Sequence, residues 1–454
     1  MSKNKMSVGC LAGLLFLAAQ ISRSQTQPVP DKNWPIDSKT RTAVIESIND
    51  LVMKRYVIRD IAPRVKDFLN AELKNGAYDK LDDPRQFAEA LWADLSESSG
   101  DRHFYIEFNP ERATLEMARQ SQVDEDAKKA NQTLAEKDRL SNFGFKKLEI
   151  IKGNVGYLDL EYFSNPEFAG ETAVAAMNFL AHADAVIIDL RGTPGGKSGM
   201  VQMLSSYFVK SSKRGRTLLS TLEQPYDGSV EQSWTIPYLP GPRMDDRDLY
   251  ILTDEDTASA AESFAYMMKA LQRATIVGKT TRGSAHNVDF EVIQGNFVMH
   301  LPVRRPVNPI TGTNWEGTGV EPHIAVPGKQ ALDKAYAMAL EKILEKNLNE
   351  DQKFQAAWEL DALKAKLEPV KLDEKILKKY IGRYGERKIT YEKGELYYQR
   401  TGPKFKLIPL KEAFFAVEGM DYFRVKMVTD ESGNVIELVG LYDDGRRDPS
   451  KRTK

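Results

Sequence analysis

Hydrophobic positions recur with a helical period in the first quarter of the chain. Val44, Ile45, Ile48, Leu51 and Val52 fall on one face. Val65, Phe68, Leu69 and Leu73 make a second stripe, and Phe87, Leu91 and Leu95 a third. Asp37-Ser38 and Asp82-Asp83 supply N-caps, the latter followed by Pro84 where a helix can begin. The pattern predicts a small helical bundle ending at Ser99-Gly100-Asp101-Arg102-His103. Residues 115–140 continue it as a polar, helix-prone stretch, giving an N-terminal helical domain over 38–135.

From residue 143 the period changes. Val155–Leu160 and Ala185–Leu190 are short apolar runs that read as buried strands, with a helical stretch from Glu171 to Leu180 between them. Leu249–Thr253 is a further strand, a helix runs from Ser259 to Leu271, and Ala274–Gly278 is strand again. This alternation predicts an α/β core over 143–330, followed by a charged helical connector over 331–370. Strand-like runs at 389–391, 396–399 and 423–427, with turns at Lys393-Gly394 and Ser432-Gly433-Asn434, predict a small antiparallel β domain over 372–448.

Composition narrows the function classes. A chain of 454 residues has room for two or three domains, and 41% hydrophobic with 28% charged residues suits packed cores. Lys+Arg at 64 against Asp+Glu at 65 leaves no basic footprint for nucleic acid. A single cysteine, Cys10, excludes an internal disulfide framework and a cysteine metal site. Lys3 and Lys5, the apolar run from Val8 to Ala19 and Ser22-Arg23-Ser24 describe a signal peptide over about residues 1–24. The run is shorter than the roughly 18 residues of a membrane anchor, and no later segment is longer. Most of it follows Cys10, which argues against lipid modification of that cysteine. The expectation is a periplasmic or secreted protein, without an integral membrane segment once the signal is removed. The sequence carries no signal for an oligomeric state.

Three segments bear chemistry. In Asp256-Thr257-Ala258-Ser259-Ala260-Ala261-Glu262 a strand gives way to a helix with small residues around a serine. A substrate carbonyl can approach there, and the helix start offers bare N–H groups and a positive field. A serine at a helix start is also an ordinary cap, and the segment alone does not separate the two readings. Asp189-Leu190-Arg191-Gly192-Thr193-Pro194-Gly195-Gly196-Lys197 is a glycine-rich turn after a buried strand, suited to an oxyanion hole or simply to a tight turn. Its spacing does not match a nucleotide-binding P-loop. A base must come from His103, His182, His286, His300 or His323. His182 reads as a helix-end residue, His300 as a strand residue and His323 as a turn residue, while His286 lies in a polar turn without distinguishing context. His103 stands at a loop edge before a strand-like run.

At these residues the chain resembles the tail-specific protease family, in the branch with the tricorn core and interphotoreceptor retinoid-binding-like proteins. Thr-Ala-Ser-Ala-Ala-Glu at 257–262 is similar to the family's nucleophile segment, and Asp-Leu-Arg-Gly-Thr-Pro-Gly-Gly at 189–196 to its glycine turn, with Thr193 in place of the usual asparagine. Val277-Gly278 through Gly283 resembles its strand and turn after the nucleophile helix. Gly-Asp-Arg-His at 100–103 resembles the loop carrying the histidine base, and Trp315-Glu316-Gly317-Thr318-Gly319-Val320-Glu321-Pro322 the segment whose glutamate orients it.

The resemblance covers about residues 38–330. It implies a catalytic core of ClpP/crotonase-like ββα units and a serine endopeptidase with Ser259 as nucleophile, His103 as base and Glu316 as its orienting carboxylate. Gly195, Gly196 and Ala260 would form the oxyanion hole, the substrate would be a peptide or protein, and neither metal nor cofactor would be needed. Ser284 follows Gly283 where the Ser-Lys branch has its lysine, and Lys279 falls too early to replace it. Arg102 stands where tricorn has a serine that assists the relay. No peptide-recognition domain precedes the core. Tyr380-Ile381-Gly382-Arg383-Tyr384 resembles small β domains appended to exported bacterial hydrolases. The alternative is an inactive binding protein of the same fold for apolar ligands or peptides.

Overall fold

The computed structural model describes residues 34–101, 103–120, 124–210 and 215–453, with side chains of 124–131 left aside. The expected signal peptide, Cys10 and Arg102 lie outside the described residues. Helices α1 (Ser38–Arg55), α2 (Ala62–Lys74) and α3 (Pro84–Ser99) carry the three apolar stripes inward. Asp37 accepts from the Thr40 amide, and Asp83 from the amides of Arg85 and Gln86, so both predicted caps form. Gly100, at φ 72°, ends α3 in the left-handed region and turns the chain into β1 (Tyr105–Phe108).

The helices do not form a self-contained bundle. After α4 (Pro110–Gln120) and α5 (Asp124–Leu140) come the core strands and helices: β2 (Phe145–Ile151), β3 (Val155–Leu160), α6 (Pro166–Leu180), β4 (Ala185–Asp189) and α7 (Ser198–Phe208). β5 (Leu218–Gln224), β6 (Ser229–Trp234), β7 (Asp248–Thr253), α8 (Ala260–Ala270), β8 (Thr275–Gly278), β9 (Asn287–Ile293), β10 (Phe297–Val307) and β11 (Ile324–Ala325) follow. β1 pairs with β10, which also pairs with β9 and leads on to β5 and β6. Phe297, Met299, Leu301 and Val303 of β10 share one core with Val44, Leu69, Phe87 and Leu91. Three short helices cannot cover their own apolar faces, and this second sheet completes the burial.

The other sheet has the order β11-β8-β7-β4-β3-β2, parallel except for β2 against β3. Helices α6, α7 and α8 cover one face, and α9 (Ala331–Leu344) and α10 (Glu350–Leu367) the other. Both faces are therefore apolar, which is why β4 reads as an unbroken hydrophobic run. The loops after β4, β7 and β8 leave one edge of this sheet together, the place where open α/β sheets hold ligands.

The C-terminal part is a correction to the sequence reading. After α11 (Glu374–Lys379), strands β12 (Gly382–Tyr384), β13 (Arg387–Glu392), β14 (Glu395–Gln399), β15 (Phe405–Lys411), β16 (Phe414–Val417), β17 (Met420–Thr429), β18 (Val435–Tyr442) and β19 (Arg447–Thr453) are antiparallel as expected, but they form a closed eight-stranded barrel rather than a small β domain. β19 closes it by pairing with both β18 and β12. Its sequence, RDPSKRT, is polar and lacks alternation, so nothing in it announces a strand. Arg387, only 1% exposed, reaches from β13 to the Asp448 carbonyl and Ser450 Oγ of β19, and closure leaves no unpaired edge. Arg424 stacks 3.9 Å from the Trp358 ring centroid and ties the barrel to α10.

Candidate active site

Ser259 sits between β7 and α8 with φ 51° and ψ −116°, a conformation that costs a side-chain-bearing residue energy and persists only when its surroundings impose it. Here they do. Glu262, fully buried, accepts at Oε2 from the Ser259 amide (2.8 Å) and the Ser284 amide (2.9 Å), and at Oε1 from the Gly283 amide (2.6 Å) and Thr281 Oγ1 (2.5 Å). Burial raises the Glu262 pKa, and these hydrogen bonds pull it back in part. The Ala258 amide donates to Thr193 O at 2.9 Å, locking the serine turn to the glycine turn.

That glycine turn lies flat against the serine. A Cβ on Gly195 (φ 110°) would stand 2.8 Å from Ala258 O, Ala260 N and Ser259 Cβ, so only glycine fits. Gly196 is as constrained, since a Cβ would lie 2.2 Å from Phe163 O. Among the described residues the amides of Gly195, Gly196 and Ala260 have no hydrogen-bond acceptor, whereas the Ser259 amide is committed to Glu262. Thr193, in the asparagine position, serves the frame by donating to Leu160 O at 2.7 Å.

The base candidates gather around a buried aspartate. Asp101, 2% exposed, accepts from the His103 amide at 2.9 Å, from Tyr56 Oη at 3.2 Å and from His286 Nδ1 at 2.8 Å. Burial alone would raise its carboxyl, but His103 and His286 outweigh that and hold it well below the usual carboxylate range. Burial opposes protonation of His286, and the bond to Asp101 more than compensates, leaving its pKa raised. His103 Nδ1 stands 3.4 Å from Asp101 Oδ1 and 3.8 Å from Glu316 Oε2. Glu316 Oε2 in turn accepts from the amides of Ala285 (2.6 Å) and His286 (3.1 Å).

His103, His286, Asp101 and Glu316 thus converge, and the loop 283–286 links them to the Glu262 carboxylate beneath Ser259. No hydrogen bond joins Ser259 Oγ to either histidine among the described residues. The sequence reading missed both Asp101 and His286 as members of this group. Asp101 stands two residues from His103, and that proximity is its one signal in the sequence; His286 has none.

The alternatives fall elsewhere. Lys279 is exposed and paired with Glu255 at 2.7 Å, in a separate cavity from the serine. His300 lies between the rings of Tyr105 and Phe290, His323 Nδ1 accepts from the Ile276 amide, and the His182 carbonyl receives Asn154. The Glu321 backbone oxygen accepts from Lys269 Nζ, and among the described residues its carboxylate joins none of these groups. Ser259, Gly196 and Ala260 line a cavity of about 220 Å³ whose apolar wall includes Val201, Leu219, Met267 and Trp315.

Residues 154–326 match the family model described as Peptidase family S41, and residues 38–147 the model described as the N-terminal domain of Peptidase_S41 in eukaryotic IRBP. A protein of Staphylococcus aureus named "Probable CtpA-like serine protease" is 26% identical over 203 residues, covering 44% of this chain and 38% of that protein. The "Carboxy-terminal-processing protease" of Bartonella bacilliformis is 25% identical over 194 residues, covering 41% of each. The chain thus spans well under half the length of these curated relatives. A solved lipoprotein of Streptococcus agalactiae superposes with a TM-score of 0.45 at 13% identity, over 68% of this chain and 98% of that one.

Proposed function

We propose that this chain, which belongs to Peptidase family S41, is a serine endopeptidase of the tricorn-like branch that cleaves peptide bonds through an acyl-enzyme on Ser259. The observation that carries this reading is the serine held at φ 51° at a cavity mouth, beside the amides of Gly195, Gly196 and Ala260 that lack acceptors among the described residues. Ser259 Oγ attacks the peptide carbonyl carbon, and its proton passes to His103 Nε2. The carbonyl oxygen, now negative, is held by the Gly195, Gly196 and Ala260 amides. The C–N bond breaks as His103 returns the proton to the departing amine, and water then releases the acyl group by the same path in reverse. Glu316 faces His103 Nδ1 and favours the imidazolium that forms during attack.

The apolar wall of the cavity suits a hydrophobic side chain beside the scissile bond. That same wall favours the second reading, an inactive protein holding apolar ligands. The basic, apolar and small order of residues 1–24 supports export to the periplasm or beyond. Covalent labelling by a fluorophosphonate separates the two readings: a peptidase is modified at Ser259, and a binding protein is not.

A further inference from the structure

The donor atoms of Asp101, His103, His286 and Glu316, one nitrogen from each imidazole and one oxygen from each carboxylate, all lie within 4.8 Å of one another. We propose that this group binds a divalent transition-metal ion of the zinc class, and that the ion switches the serine site off. The switch rests on the assignment of His103 as the base; the metal site does not.

Geometry supports the ion. His286 Nδ1 lies 2.8 Å from Asp101 Oδ2 and 3.7 Å from Glu316 Oε2. His103 Nδ1 lies 3.8 Å from Glu316 Oε2 and 3.4 Å from Asp101 Oδ1, the other oxygen of that carboxylate. A tetrahedron with metal–ligand bonds of about 2.0–2.2 Å has edges of roughly 3.4 Å, inside that range. Two neutral imidazoles and two carboxylates balance a dication. The mixed nitrogen and oxygen set suits zinc better than magnesium or calcium, which take oxygen shells.

A second observation is independent of the spacing. Both ring nitrogens of His103 are buried without a hydrogen-bond partner among the described residues, a state that buried polar atoms seldom keep. A metal on Nδ1 would satisfy one of them. The carboxylates already have the outer partners that metal ligands carry: Tyr56 Oη on Asp101, and the amides of Ala285 and His286 on Glu316.

The chemistry of the switch follows from the tautomer. Coordination at Nδ1 puts the single proton of neutral His103 on Nε2, which can then accept nothing from Ser259. His286 likewise binds as the neutral ring with its one proton on Nε2. The proton shared between Nδ1 and Asp101 is given up to solvent as the metal takes its place, and a ring that was neutral beforehand takes a proton back from solvent on Nε2.

Equilibrium dialysis of the full chain against Zn²⁺, with the bound metal counted by atomic emission, tests the site. One ion per chain is expected in the wild type and in Ser259→Ala. His286→Gln and Asp101→Asn should each weaken binding by more than the roughly 10–100-fold lost with an outer-shell partner. Co²⁺ in the wild type should give the intense visible bands of a four-coordinate ion, a readout that needs no variant. Absence of bound zinc, binding unchanged in both variants, or a weak six-coordinate cobalt spectrum overturns the site. Fluorophosphonate labelling should slow under Zn²⁺ and recover with a chelator; labelling indifferent to bound zinc overturns the switch. Zinc held at the group with no labelling under any condition keeps the metal site and removes the peptidase reading instead.

Discussion

Asp101 and His286 are 185 positions apart in the chain and 2.8 Å apart in space, carboxylate oxygen to imidazole Nδ1. The bond pins the loop that follows α3 to the loop that follows β8. It therefore sets where the N-terminal helical layer delivers His103.

Asp101→Ala removes the acceptor and leaves the buried His286 Nδ1 without its hydrogen bond. Burial lowers the His286 pKa and the bond to Asp101 is what raises it, so without that bond burial pushes the pKa down. Leaving a buried donor without its partner costs about 1–3 kcal/mol. Denaturant unfolding should show a loss of that size. Hydrogen exchange should rise first in residues 38–108, because those elements lose their anchor to the core.

His103→Ala should lower turnover by roughly 10²–10⁴-fold, the usual worth of a positioned base, with Lys279→Ala close to neutral because its ammonium pairs with Glu255 at the surface. Glu316→Gln should lower kcat with little change in KM, and Glu321→Gln should do far less. Steady-state kinetics on one cleavable peptide decides both comparisons. A crippled Lys279→Ala would restore a lysine mechanism, and a crippled Glu321→Gln would move the third carboxylate.

Gly195→Ala introduces a Cβ 2.8 Å from the Ala260 amide nitrogen and from Ser259 Cβ, so the turn must shift away from the serine. If that turn supplies the oxyanion hole, kcat should fall by about 10²–10³-fold while KM moves little. An unchanged kcat would show that the hole is built elsewhere.

His300 gives the pH dependence. Burial, then the nearby charges of Arg112 and His103, push its pKa from 6.5 down to about 3, so the folded chain keeps it neutral. Below pH 6.5 the unfolded chain binds a proton that the folded one refuses. Stability from this residue is thus complete above pH 6.5 and declines by up to about 1.4 kcal/mol per pH unit as pH falls towards 3. His300→Phe should flatten that decline in urea midpoints measured across the window; an identical slope in both proteins would place the acid sensitivity elsewhere.

Much of this arrangement is legible in the sequence where one physical signal dominates. The α1–α3 stripes and the unbroken runs of β3, β4, β7 and β8 declare themselves because burial on one face or two leaves a pattern. The glycine turn at 195–196 and the serine at the start of α8 declare themselves through small residues at a strand end. β5 and β6 do not, since LLSTLEQ and SVEQSW are mostly half-exposed and carry little apolar contrast. Glu262 looks like an ordinary capping glutamate, yet its carboxylate joins the serine turn to residues 281–284, a role that depends on loops distant in sequence. His286 is invisible for the same reason: its neighbours are bland, and its partner Asp101 lies 185 positions away in the chain.

The nucleophile assignment is tested most directly by intact mass of the purified chain after fluorophosphonate treatment, with peptide mapping of the adduct. One phosphonyl group per chain on Ser259, absent from Ser259→Ala at an unchanged melting temperature, is the predicted result. Equal labelling of Ser259→Ala, or an adduct mapped to another residue, would contradict it.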